Sequence, residues 1–103
     1  MHETVDSKSI SLSPQVRYRA VDDEGVLVHL DNGRVVVVNE VGLHIVQQLK
    51  KPITRSDLAM SIASEFEVSS AQATEDLDLF LAELDQDQIL DGTEYRPGSH
   101  KNV

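Results

Sequence analysis

The stretch Asp31-Asn32-Gly33-Arg34-Val35-Val36-Val37-Val38-Asn39-Glu40-Val41-Gly42 holds a turn, a strand and the start of a helix in succession. Asn32-Gly33 is expected to form a two-residue hairpin turn, because both central positions of such a turn need the positive φ that Asn and Gly tolerate. The chain then returns as a β-branched strand, Arg34 to Val38. After it the hydrophobic period changes from two to helical. Asn39 supplies a capping side chain, and Gly42, Ile45, Val46 and Leu49 form one stripe that ends at Lys50-Lys51-Pro52.

Upstream of this stretch, Val16-Arg17-Tyr18-Arg19-Ala20-Val21 alternates apolar and basic residues, Asp22-Asp23-Glu24-Gly25 interrupts it, and Val26 to Leu30 forms a second β-rich run. A three-stranded antiparallel meander results. Downstream, Thr54 with Asp57 approximates a capping box and Ile53 with Leu58 a hydrophobic staple, opening a helix that buries Leu58, Ala59, Ile62, Ala63 and Phe66. Ser69 with Gln72 caps a longer third helix, whose core stripe is Ala73, Leu77, Phe80, Leu81 and Leu84 and whose outer side carries Glu75, Asp78, Glu83 and Asp85. The order β-β-β-α-α-α places the chain in the α+β class. Residues 14–92 are expected to form one domain, with residues 1–13 a flexible N-terminal arm and residues 93–103 a flexible C-terminal tail.

The 103 residues include no cysteine, which excludes a disulfide scaffold and thiolate metal sites. No run approaches the ~20 apolar residues of a membrane span, and no signal peptide follows Met1, so a cytoplasmic protein is expected. The net charge of −9 is unevenly placed. Residues 1–55 hold seven acidic and seven basic side chains, whereas residues 56–95 hold eleven acids and no Lys, Arg or His. An acidic helical half argues against nucleic acid and anionic membranes as partners, since both require a cationic footprint.

Little in the chain points to catalysis. There is no Gly-rich phosphate loop, and His2, His29, His44 and His100 lack metal-ligand spacing. Asp76 and Glu83 lie two helical turns apart, about 10 Å by helical rise, too far to share a proton. Neither catalytic residues nor a metal or other cofactor is expected.

The strand of four valines carries the stronger anomaly. Val35 and Val37 point to one face, Val36 and Val38 to the other, so both faces are apolar where a half-exposed strand alternates with polar residues. Either both faces are covered within the domain, one of them by the N-terminal arm, or the strand lies at a sheet edge that accepts another chain. Leu79 falls outside the core stripe of the third helix. With Phe80 it could form the second wall of a groove rimmed by Asp76, Glu83 and Asp87, suited to a peptide with apolar anchors and basic flanks.

Together these features resemble the PqqD family. The resemblance rests on Val38-Asn39 closing the strand, the nearby Gly42, Glu65-Phe66-Glu67-Val68, and the helix Asp76-Leu77-Asp78-Leu79-Phe80-Leu81-Ala82-Glu83-Leu84, and it covers roughly residues 16–91. It implies a winged-helix-like fold acting as a peptide recognition element. Such a chaperone binds the leader segment of a ribosomally made precursor by strand addition and presents it to a maturation enzyme, such as a radical S-adenosylmethionine enzyme of pyrroloquinoline quinone biosynthesis or a peptidase. Carried over by resemblance, the pairing strand is Arg34, Val35, Val36, Val37 and Val38, and the facing wall includes Asp76, Leu79, Phe80 and Glu83. The alternatives are a winged-helix DNA-binding regulator, disfavoured by the acidic third helix, and a structural homodimer paired through the same strand.

Overall fold

A computed structural model describes residues 9–91. In chain order its elements are β1 (Ser9–Ile10), β2 (Val16–Val21), β3 (Glu24–His29), β4 (Val35–Val38), α1 (Glu40–Gln48), β5 (Ile53–Thr54), α2 (Arg55–Phe66) and α3 (Ser70–Gln86). The expected meander is present as an antiparallel sheet ordered β2-β3-β4, which sets Tyr18 beside Leu27 and Leu27 beside Val36. The strand expected third is β4, and it lies at the edge of this sheet.

Both turns of the meander differ from the sequence expectation. Glu24 and Gly25 belong to β3, because Asp22 and Asp23 alone turn the chain, with Asp22 in the left-handed region at φ 57°. In the second hairpin the closing pair is His29 with Arg34, whose carbonyl accepts from the His29 N–H at 2.9 Å, so the loop spans four residues rather than two. Of the Asn-Gly pair only Gly33 has positive φ, at 76°. Asn32 works instead through its side chain, Oδ1 accepting from the Arg34 N–H at 2.8 Å, while Nδ1 of the buried His29 accepts from the Asp31 N–H at 3.2 Å.

The helix starts follow the sequence closely, because capping is a local interaction. Asn39 Oδ1 accepts from the Gly42 N–H, Thr54 Oγ1 from the Asp57 N–H and Ser69 Oγ from the Gln72 N–H. α1 packs on one face of the sheet against β3 and β4, α2 packs on α1, and α3 packs on α2. Leu27, Ile45, Leu49, Leu58, Leu77, Leu81 and Leu84 are fully buried between them, each contributing roughly 1.5–3 kcal/mol of transfer free energy. α2 and α3 are also clamped at their surface by Arg55, whose Nε and Nη2 each donate to one Asp78 carboxylate oxygen at 2.8 Å.

Residues 9–13, placed in a flexible arm by sequence, are integral to the fold. β1 pairs with β5 in the register Ser9 to Thr54 and Ile10 to Ile53, and the Ile10 side chain is buried. Beyond it the Leu12 N–H donates to the Leu49 carbonyl, the Ser13 N–H to that of Ile89, and the Asp91 N–H to that of Ser11. This segment therefore binds the helical side of the domain and leaves β4 uncovered. Residues 1–8 and 92–103, with the expected C-terminal tail, lie outside the described residues. Among the described residues, no helix is long and apolar enough to cross a membrane.

Candidate functional site

Backbone geometry sets the chemistry of the β4 edge. Paired residues in antiparallel strands alternate between hydrogen-bonded and non-hydrogen-bonded sites, and His29 with Arg34 fixes the phase. Leu27 with Val36 and Gly25 with Val38 are then the hydrogen-bonded pairs, so Val36 and Val38 turn their N–H and C=O groups towards β3. Val35 and Val37 turn theirs outward. The open edge thus offers two donors and two acceptors in the spacing of a further strand.

Side chains alternate in the same rhythm. Val36 and Val38 face the helices, whereas Val35 and Val37 are 62% and 63% exposed on the opposite face. Of the two sequence readings of the valine run, coverage of both faces is thereby excluded among the described residues. Along the inner side, β4 and α3 enclose an open cavity of about 350 Å³ lined by Val36, Val37, Val38, Asn39, Phe80, Glu83, Leu84 and Asp87. Its floor is apolar and one flank is acidic. Arg34 Nη1 meets Asp87 Oδ1 at 3.2 Å, and Asn32 Nδ2 donates to Gln88 Oε1 at 3.1 Å, so the β3–β4 turn closes one end against the last turn of α3.

Most of the sequence candidates therefore meet in one place. Arg34, Val36, Val37, Val38, Phe80, Glu83 and Asp87 surround the cleft, while Val35 contributes the outward backbone edge. Asp76 lies beyond Phe80, at a smaller adjoining cavity. Leu79 is not among the lining residues. It stands 63% exposed on the outer shoulder of α3, because a position one residue before Phe80 is rotated by about 100° on a helix. Asn39 and Leu84 line the cleft although sequence patterning assigned them only a cap and a core position; their adjacency to Val38 and Glu83 was the available signal.

His29 and His44 serve the fold. His29 holds the β3–β4 turn, and His44 Nε2 lies 2.8 Å from Ser61 Oγ with its ring edge-on to Phe66 at 5.5 Å. Among the described residues, no group of three or more His, Asp or Glu side chains is arranged to hold a metal ion.

These features define a small α+β domain with an open strand edge set across an apolar cleft from an acidic helix. The chain belongs to the PqqD family: the family's sequence model, described as coenzyme PQQ synthesis protein D, matches residues 24–90. Among solved structures, the chain is similar to TbiB1 in complex with the TbiA(beta) leader peptide, at 29% identity and a TM-score of 0.74, covering 81% of this chain and 96% of that one. A lasso peptide synthetase B1 complexed with its leader peptide shares the fold at 24% identity and a TM-score of 0.69, over 81% of this chain and 98% of that one. So does the PqqD truncation of Methylobacterium extorquens PqqCD, a stand-alone recognition element, at 20% identity and a TM-score of 0.69, over 84% and 93%. Comparison with curated proteins finds no match.

Proposed function

We propose that this domain is a non-catalytic recognition element that binds the leader segment of a ribosomally made precursor peptide and presents it to a maturation enzyme in the cytoplasm. The observation that carries this reading is the outward-turned backbone of Val35 and Val37 beside the cleft between β4 and α3. A leader segment adds antiparallel or parallel to β4, completing the hydrogen bonds that the edge leaves open. Four such bonds at a net ~1 kcal/mol each contribute about 4 kcal/mol. Micromolar affinity requires about 8 kcal/mol, so apolar anchors on Val36, Val38, Phe80 and Leu84 supply the remainder.

TbiB1, the relative at 29% identity, is known with a leader peptide bound, which supports the same class of ligand here. The acidic flank of Glu83 and Asp87 favours a leader with Lys or Arg near its anchors and disfavours a phosphate backbone. The test is calorimetric titration of candidate leader peptides into the wild-type domain and Val37→Pro, which removes one outward N–H at an edge position that tolerates proline. Loss of binding with an unchanged fold supports strand addition; equal affinity for both proteins overturns it.

A further inference from the structure

Phe80 divides the cleft into two chambers. On its far side a second cavity of about 200 Å³ is lined by Asn39, Val41, Gly42, Ile45, Asp76 and Phe80, and shares Asn39 and Phe80 with the larger one. It lies below the ~300–1,000 Å³ that hold a whole small molecule, so it suits a single side chain. The partition depends on Gly42: a Cβ there would stand 2.8 Å from Val38 Cβ, 3.0 Å from Phe80 Cζ and 3.1 Å from Phe80 Cε1. Only glycine lets the ring lie against the first turn of α1.

We propose that this second chamber is a specificity subsite for one branched aliphatic side chain of the bound peptide, with Gly42 and Phe80 setting its size. The proposal rests on the strand-addition reading above. Along an added strand, inward-facing side chains recur every second residue, about 6.7 Å apart. Two such positions lie beside Val36 and Val38. The next one, past the end of β4, comes level with Glu40, where α1 begins, and reaches the chamber that Val41 and Gly42 line. Val41, Ile45 and Phe80 make the walls apolar, and exposed Asp76 at the rim repels an acidic residue.

The experiment selects peptides from a random library displayed on mRNA, using the full-length domain and its variants as bait. Wild type is expected to enrich peptides with apolar residues at alternate positions, the last of them Leu, Ile or Val. Val41→Phe, which fills the chamber from its rim, is expected to keep the inner anchors and lose the last; Gly42→Ala, whose Cβ crowds Val38 as well as Phe80, is expected to lose the last and to weaken the one beside Val38. On a single selected peptide, that loss is about tenfold or more in affinity. If Gly42→Ala does not fold, Val41→Phe decides the matter. Enrichment of the wild-type pattern by Val41→Phe overturns the subsite while leaving strand addition intact. Enrichment of nothing by wild type, or of peptides that still bind Val37→Pro, overturns the strand-addition reading and the subsite with it.

Discussion

The Arg34 guanidinium lies 3.2 Å from the Asp87 carboxylate and joins the first residue before β4 to the residue that ends α3. Both partners are solvent-accessible, so the pair is worth no more than ~0.2–1 kcal/mol. Its effect is on charge. While paired, Arg34 offsets one of the carboxylates on the cleft flank.

Arg34→Ala is therefore expected to leave thermal unfolding nearly unchanged and to tighten binding of a leader that carries Lys or Arg near its anchors. Asp87→Asn is expected to weaken that binding and to reduce its salt dependence. Calorimetry at low and high ionic strength reads both effects.

Val36 and Val37 are adjacent but occupy different environments. Val36 is partly buried against the core and lines the cleft, so Val36→Asp partly desolvates an unpaired carboxylate and is expected to lower stability in urea unfolding. Val37→Asp places its charge in water and is expected to leave the midpoint close to wild type. Only Val37 therefore separates binding from folding.

Leu79 and Leu81 provide a second contrast on one helix. Leu81 is fully buried, and Leu81→Ala is expected to cost about 2–5 kcal/mol in denaturant unfolding. Leu79 is 63% exposed and outside the cleft lining, so Leu79→Ala is expected to change stability by less than ~0.5 kcal/mol and leader affinity hardly at all.

Ile10 tests the integration of the N-terminal segment. Its side chain is buried and its backbone pairs with Ile53, so Ile10→Ala is expected to destabilise the domain by about 2–4 kcal/mol, whereas a residue in a detached arm would have no effect. The urea midpoint measures the difference.

What could be read from sequence was what the chain decides locally. Asn39, Thr54 and Ser69 cap helices through amides three residues away, and the stripe of α3 follows from its own period. The role of Ser9 to Leu12 was hidden because their partners, Ile53, Thr54, Leu49 and Leu90, are remote in sequence and the segment has no period of its own. The Asn-Gly signal misplaced the second turn because the buried His29 ring, an interaction outside the turn alphabet, accepts the loop amides. The valine run left open whether both faces are covered, since that depends on sheet order. Gly42 read as a family mark, and its steric task became visible only with Phe80 lying against it.

The most direct test is residue-resolved amide hydrogen exchange with and without a bound leader peptide. Val36 and Val38 amides already face β3, so strand addition predicts that leader binding newly protects Val35 and Val37. Unchanged fast exchange at Val35 and Val37 in a saturated complex would contradict the account.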